Sequence, residues 1–416
     1  MMNRVKSFTC VSCQAQYGSL PSTYTCPACG GILDVVYDYG SIDGGLLVRS
    51  LASNPDRSIW RYEDLLPVTP GGPRPKLRVG GTPIYRARRL AEEIGLSDVF
   101  VKDDGVNPTA SLKDRASAVA VAMALEAGAE VISCSSTGNA ASSCAGCAAS
   151  VGLPAVIFVP ERAPAGKLAQ LRIFNAIVIR VQGSYRDAFN LSREAIGRYG
   201  WYNRNAAINP YMVEGKKTVS FEICEELGSA LPDWVVVSVG DGCTVAGVWK
   251  GFRELHNIGV IPRTPRILGV QAEGSNPISV SFRTQMPMQP GHEDTIADSI
   301  AVGEPRNPVK AVNAVRDSGG TMIDVSDEEI LSAMRLLGRT AGVFGEPAGV
   351  AGLAGLARAV REGIVDSSAS ACAIVTGNGL KDIQTGIRAA GEPVTIPPDI
   401  TLLERELARI APSVLP

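Results

Sequence analysis

The chain has 416 residues, a formal net charge of −2 and two histidines, His256 and His292. This length predicts two or three domains, and the near-neutral charge gives no reason to expect a nucleic-acid partner. So few histidines exclude a three-histidine metal centre, and we expect both at the surface. Without an apolar run of about 18 residues or an apolar N-terminal segment, neither a membrane span nor a secretory signal is indicated. We therefore expect a cytoplasmic protein whose ten cysteines are thiols or metal ligands.

Two cysteine pairs near the start of the chain form the pattern C-x2-C-x12-C-x2-C. The cysteines are Cys10, Cys13, Cys26 and Cys29. Two such pairs can complete a tetrahedral four-thiolate site, the usual arrangement of a structural zinc ion. A pair of disulfides is the alternative, which a reducing compartment disfavours. Cys144 and Cys147 lie in an Ala/Ser-rich helical stretch, where we expect them to be packing residues.

From about residue 80, apolar strand-like runs alternate with Ala-rich helical stretches. The runs are residues 99–102, 130–136, 154–160, 176–183, 234–242, 266–274 and 371–379. Short β-branched runs are typical of sheets buried on both faces, and alternation with helices predicts a mostly parallel α/β architecture. Ligands of such sheets bind at the carboxyl ends of the strands. A closing helix is predicted after Pro398, with Asp399 as its N-cap.

The segment NPTASLKDRAS (107–117) places Lys113 at the predicted start of a helix. We expect Asp114 and Arg115 to hold this helix start by local ion pairing. A lysine that bonds covalently to an aldehyde cofactor must be shielded and must lose its proton at neutral pH. Taken alone, the Lys-Asp-Arg sequence favours a solvated helix start.

This segment resembles the NPTGSFKDR motif of threonine synthases, in which the lysine carries pyridoxal phosphate; Leu112 stands where that family usually has Phe. Further segments match the family's motifs in the family's order: GGTPI (80–84), SSTGNAAS (135–142), INPYMVEGKKT (208–218), TIADSIAV (295–302) and TGNGLKD (376–382). The resemblance covers about residues 80–390. It implies an α/β fold of the type II pyridoxal-phosphate enzymes, with two open, mostly parallel sheet domains, here preceded by a zinc-ribbon-like module.

The resemblance also implies a domain division. The expected parts are a zinc-ribbon-like module (1–40), a large cofactor-binding domain (41–110 and 206–395), a small inserted α/β domain (111–205) and a C-terminal helix (396–416).

Two loops are expected at the site. A loop that follows a strand and begins a helix offers backbone N–H groups to a carboxylate, and by resemblance it binds that of the substrate. Its residues are Ser135, Ser136, Thr137 and Gly138. By the same resemblance Asn139 donates a hydrogen bond to the ring oxygen of the cofactor.

The second loop follows the run 234–239 and suits the cofactor phosphate, because glycines allow close backbone approach and a helix start favours an anion. It consists of Gly240, Asp241, Gly242, Cys243 and Thr244. Its G-x-G-x4-G spacing differs from the dinucleotide-binding fingerprint, and it also differs from the GNAGN common in threonine synthases. The roles of its side chains are therefore left open.

Thr376 ends a strand-like run, and by resemblance its hydroxyl faces the pyridine nitrogen of the cofactor. A neutral hydroxyl does not hold that nitrogen protonated, which suits elimination and replacement rather than transamination. Glu346, which precedes a proline, is a further candidate polar group at the site, although such a residue more often begins a helix.

The resemblance implies conversion of O-phospho-L-homoserine and water to L-threonine and phosphate, with Lys113 as general base. It also implies a homodimer with a small amino-acid substrate. The alternatives are a hydroxy- or diamino-acid ammonia-lyase that uses the same lysine for β-elimination, and a zinc-ribbon regulatory protein on a degenerate enzyme fold.

One departure bears on the substrate. Ala207 and Met212 occupy the places of the Ser and Arg that hold the substrate phosphate in many threonine synthases. Either another cation replaces the arginine, or the substrate is not phosphorylated. The nearest cations in sequence are Arg204, Lys216 and Lys217; at least one of the two lysines is expected on a solvated basic face.

Overall fold

The computed structural model describes residues 4–20, 22–163 and 165–414. Its strands are β1 Val5–Cys10, β2 Gln16–Tyr17, β3 Leu33–Tyr37, β4 Ile84–Arg86, β5 Asp98–Asp103, β6 Ile132–Ser135, β7 Ala155–Pro160, β8 Ile177–Val181, β9 Tyr202–Asn203, β10 Trp234–Ser238, β11 Arg266–Ala272, β12 Thr321–Val325 and β13 Ser370–Val375. Each of the predicted strand-like runs overlaps one of these strands.

The helices alternate with the strands along most of the chain. They are α1 Gly44–Ser53, α2 Arg88–Ile94, α3 Lys113–Glu126, α4 Asn139–Ala149, α5 Ala165–Ile173, α6 Tyr185–Tyr199, α7 Tyr211–Lys216, α8 Thr218–Leu227, α9 Cys243–Asn257, α10 Pro277–Thr284, α11 Pro308–Asp317, α12 Asp327–Ala341, α13 Pro347–Arg361, α14 Ile383–Ala390 and α15 Ile400–Ile410. The side chain of Asp399 accepts hydrogen bonds from Thr401 N and Leu402 N, so it caps α15 as predicted. None of these helices is long and apolar enough to cross a bilayer.

The strands form three sheets. The largest has the order β12-β11-β10-β13-β5-β4 and is parallel except for β4, which runs antiparallel to β5. A second sheet, β8-β7-β6-β9, is wholly parallel. The antiparallel sheet β2-β1-β3 lies in the N-terminal segment. The predicted α/β class with two mostly parallel sheets is therefore confirmed, while the domain boundaries drawn from the sequence remain a proposal.

A buried ionic network attaches β3 to the large sheet's helices. Glu214 of α7 accepts hydrogen bonds from Lys217 Nζ (2.6 Å), Lys250 Nζ (2.7 Å) and the Tyr37 hydroxyl (2.8 Å). Lys217 is 0% exposed and Lys216 is 2% exposed. The expectation that at least one of these two lysines lies on a solvated basic face is therefore wrong, because they lie at the junction of α7 and α8, and both helices pack against α9.

A second buried network surrounds Arg115 of α3. Its guanidinium donates to Asp104 Oδ2 (2.6 Å) and to Glu222 Oε1 (2.6 Å), and Lys102 Nζ lies 2.8 Å from Glu222 Oε2. Asp114 instead accepts hydrogen bonds from the backbone and hydroxyl of Thr109. The predicted local ion pairing of Asp114 with Arg115 is thus wrong, because the Arg115 guanidinium pairs with Asp104, which directly follows β5, and with Glu222 of α8.

The Arg115 network yields a prediction about acid stability. The Arg115 and Lys102 charges outweigh burial and lower the pKa of Glu222 to about 2, whereas the ordinary value is about 4.3. Because the folded pKa is depressed, the contribution of Glu222 is present above about pH 4 and is lost as the pH falls toward 2. Glu222→Gln should cost about 3–5 kcal/mol at neutral pH, since Arg115 and Lys102, both buried, each lose one of their two carboxylate partners.

The measurement is the melting temperature of both proteins between neutral pH and about pH 3. We expect the gap between wild type and Glu222→Gln to narrow as the pH falls, because the wild type loses the interaction that the variant already lacks. Glu404→Gln on the exposed face of α15 is the control and should match the wild type throughout. A gap that stays constant down to about pH 3 would contradict the assignment.

Candidate active site

Lys113 is the first residue of α3 and lies beside the end of β13. The backbone fixes this position, because Leu112 N donates to Thr376 O (2.8 Å) and Ser111 forms an antiparallel bridge with Gly377. Within the described chain, the half-buried Lys113 ammonium has neither a hydrogen bond nor an ion pair. Burial lowers the pKa of Lys113 to about 8, and the positive charge of Lys216 acts in the same direction. A shielded amine that readily loses its proton is what covalent attachment to an aldehyde requires.

The loop between β6 and α4 lines a cleft that Glu346 also lines. Ser135 N donates to Asn205 Oδ1 (2.9 Å), and Gly138 N donates to Ser136 Oγ (3.2 Å). Thr137 and Gly138 line a cleft together with Asn139 at the first position of α4. The loop therefore presents a helix start to the cleft, where backbone N–H groups suit a carboxylate.

Asn139 and Glu346 meet across the cleft. Asn139 Nδ2 donates to Glu346 Oε1 at 2.6 Å, and burial raises the pKa of Glu346. Glu346 precedes α13, yet its side chain makes no capping hydrogen bond to that helix. A Cβ on Gly377 would come within 2.2 Å of Glu346 Oε1, so the absence of a side chain there allows the carboxylate to enter the site.

The glycine loop 240–244 joins β10 to α9. Gly242 has φ of 86°, a conformation that disfavours side chains, and a Cβ there would lie 2.5 Å from Asn307 O. A Cβ on Gly240 would approach Ile300 Cα to 2.9 Å. Asp241 Oδ1 accepts a hydrogen bond from Arg306 N (2.6 Å), and the Cys243 thiol lies 3.5 Å from Asn307 Nδ2. The loop thus exposes backbone N–H groups at the start of a 15-residue helix. Such a helix start favours an anion.

Three cations near the site differ in their hydrogen-bond and ion-pair partners. Arg204 Nε donates to Ser117 Oγ (2.9 Å), and Lys217 is paired with carboxylates as described above. Lys216 is buried, and no hydrogen bond or ion pair of its Nζ exists within the described residues. Met212, one helical turn earlier in α7, is fully buried.

Sequence reasoning missed two groups of the cleft. Lys381 Nζ donates to Thr109 O (2.9 Å), Ser142 Oγ (2.9 Å) and Gln170 Oε1 (3.2 Å). Ser299 lies 3.5 Å from Asn139 Nδ2. Both lie in segments that resemble family motifs, TGNGLKD and TIADSIAV, but neither sequence pattern indicates which residue reaches the cleft.

The four N-terminal cysteines form a compact cluster. Their thiols all lie within 4.8 Å of one another, an arrangement that could hold a metal ion. Cys144 and Cys147 are instead buried in α4 as packing residues, and His256 and His292 are exposed, as expected.

Solved structures with this fold include threonine deaminase isoform 2 from Solanum lycopersicum, with a TM-score of 0.64, 18% identity and coverage of 83% of this chain and 92% of that chain. Another is diaminopropionate ammonia lyase from Escherichia coli, with a TM-score of 0.65, 18% identity and coverage of 94% and 98%. At such identities the likeness concerns the fold alone.

Sequence comparison reaches further. Residues 76–377 match the model of the pyridoxal-phosphate dependent enzyme family. The chain is 39% identical over 406 residues to threonine synthase of Methanocaldococcus jannaschii, covering 96% of this chain and 99% of the relative. It is 37% identical over 342 residues to threonine synthase of Mycobacterium tuberculosis, covering 82% and 93%. The chain therefore belongs to the pyridoxal-phosphate dependent enzymes and, among them, to the threonine synthase family.

Proposed function

We propose that this enzyme converts O-phospho-L-homoserine and water to L-threonine and phosphate. The observation that carries the proposal is the half-buried amine of Lys113, which has no partner among the described residues and lies between the start of α3 and the end of β13. The threonine synthases that share 37–39% identity with most of the chain support the same reaction.

The residues present fit pyridoxal phosphate. Gly240 and Gly242 leave a cradle that a Cβ would fill, at the start of α9, where backbone N–H groups favour a phosphate. Lys113 offers a free amine, and Thr376, at the end of β13, offers a neutral hydroxyl. When bound, the cofactor would supply an electron sink for carbanion chemistry at the substrate Cα.

The protein itself transfers the proton, binds the substrate carboxylate and orients the cofactor. Lys113 Nζ, with its lowered pKa, takes the proton from the substrate Cα as general base. The loop Ser135, Ser136, Thr137 and Gly138 binds the substrate carboxylate through its backbone. Asn139 orients the cofactor through its amide, which Glu346 holds in place by accepting a hydrogen bond. Lys381 donates hydrogen bonds to the segment that precedes α3, to α4 and to α5, and so fixes the positions of the cleft walls relative to one another.

The first prediction concerns the cofactor attachment. Purified protein should be yellow, and borohydride should fix the cofactor on the peptide that contains Lys113. In Lys113→Ala the reduced adduct should be absent. Because only the neutral amine is nucleophilic, the rate at which cofactor-free protein takes up pyridoxal phosphate should rise with pH up to about 8, the pKa of Lys113. Labelling of Lys102 or Lys217 in the wild type would overturn the assignment.

The second prediction separates this reaction from that of an ammonia-lyase. Wild-type enzyme should release phosphate from O-phosphohomoserine and form threonine in equal amount. It should form little 2-oxobutanoate from threonine or pyruvate from serine. Robust 2-oxobutanoate release without any phosphate release would reassign the enzyme to β-elimination.

The third prediction concerns the N-terminal module. We propose that Cys10, Cys13, Cys26 and Cys29 hold one structural zinc ion, because four thiols within 4.8 Å suit a closed tetrahedral site. Elemental analysis should find about one zinc per chain. Cys10→Ser should lose the metal, whereas Cys144→Ser should retain it. Cys26→Ser should be less stable yet still yellow, because the module lies outside the two parallel sheets. A folded but colourless Cys26→Ser protein, or zinc loss in Cys144→Ser, would count against the proposal.

Three further statements stay predictions that rest on the sequence. They are the cytoplasmic location, the homodimer and the absence of nucleic-acid and membrane partners.

A further inference from the structure

The amine of Lys216 is buried, and no described residue supplies a counter-ion within ion-pair distance. Its side chain, at the last position of α7, is 2% exposed. Its chain neighbour Lys217 lies 2.6 Å from Glu214 and 2.8 Å from Glu254, so the carboxylates of this region are already used. A desolvated charge with no partner is strongly unfavourable, and such groups are normally paired. An anion beside Lys216 would therefore stabilise the charged form of this lysine.

The position of Lys216 indicates where that anion lies. Gly247, in the second turn of α9, packs against it so closely that a Cβ there would be 3.0 Å from Lys216 Cβ. The charged groups that act on Lys216 include Cys243, the first residue of α9, and Asp241 in the glycine loop. The unpaired cation thus faces the same helix start that the glycine loop exposes. A helix N-terminus and a buried ammonium converge there, and each favours negative charge.

A second cation contributes to the same region. Arg204 is 1% exposed, and within the described residues it is hydrogen-bonded to the hydroxyls of Ser117 and Ser143 rather than to a carboxylate. Its positive charge also acts on both Lys113 and Lys216. Against these three cations stand Asp241, whose Oδ1 is already bonded to Arg306 N, and Glu346, whose charge acts on Lys113. These three cations and two carboxylates leave one positive charge, and the partial positive charge of the helix start adds to it, so the region favours an anion.

We propose that Lys216 binds a phosphate monoester dianion at the start of α9, the phosphate of either the cofactor or the amino-acid substrate. The inference rests on the proposed function, which brings both phosphates to this site. It assigns a direct contact to a lysine that lies one helical turn after Met212, on the same side of α7.

The test uses inorganic phosphate on cofactor-free protein. Phosphate should raise the melting temperature of the wild type by binding the folded state. In Lys216→Met the affinity for phosphate should fall on the order of 10- to 100-fold, the usual effect of removing one charge-assisted hydrogen bond. Lys216→Arg should retain much of the response. Lys76→Met, which removes an exposed lysine, should behave as wild type.

Stability without phosphate provides an independent readout. Because Lys216→Met removes an unpaired buried charge, its melting temperature without any anion should equal or exceed that of the wild type. Lys216→Gln is measured in parallel, so that a folding defect of one variant does not decide the result. Variants that are destabilised yet respond to phosphate as wild type does would overturn the proposal.

Two further arms identify the source of the phosphate. If Lys216 holds the cofactor phosphate, Lys216→Met should bind pyridoxal phosphate more weakly but pyridoxal, which lacks the phosphate, unchanged. If it holds the substrate phosphate, pyridoxal phosphate affinity should be unchanged. The holoenzyme should then lose its phosphate-induced stabilisation, and KM for O-phosphohomoserine should rise. No change in either arm would refute a phosphate role. Failure of the proposed function would instead appear as a wild type that releases no phosphate from O-phosphohomoserine.

Discussion

Two lysine ammonium groups are desolvated near the start of α9 and the end of β13, and the rest of the site is arranged around them. Burial lowers the pKa of both Lys113 and Lys216, and the positive charge of Lys216 lowers the pKa of Lys113 further. Lys113 can avoid the cost of a desolvated charge by losing a proton and forming a covalent bond. Lys216 can offset the same cost by contact with an anion. The next residue, Lys217, already has two carboxylate partners. The same physical cost thus favours a nucleophile at one position and an anion site at the other.

The backbone holds these groups in place. The hydrogen bond from Leu112 N to Thr376 O and the bridge between Ser111 and Gly377 join the start of α3 to the end of β13. Behind them, Arg115 locks α3 to α8 through Glu222. A catalytic amine mounted on a helix start, with an ion pair two residues later, has little freedom to leave the site. Such support by buried charge pairs is what keeps reacting groups in productive geometry.

The sequence predicted the architecture well, because buried parallel strands produce short apolar runs that are visible without a structure. It did not predict β12 or β4, which are edge strands with polar or exposed positions, such as Asp324 and Tyr85. Ion pairs between residues far apart in the chain could not be predicted from the sequence either. Arg115 was expected to pair locally, and Lys216 and Lys217 resemble a solvated basic pair in sequence. Only the fold shows that Glu214 and Glu254 satisfy one lysine and leave the other unpaired.

The most direct test of this account is a crystal structure of the holoenzyme in the presence of inorganic phosphate. The account predicts continuous density between the cofactor and Lys113 Nζ, and a phosphate group, of the cofactor or of the added anion, within hydrogen-bonding distance of Lys216 Nζ. Cofactor density joined to another lysine, or a Lys216 ammonium that contacts no phosphate oxygen, would contradict it.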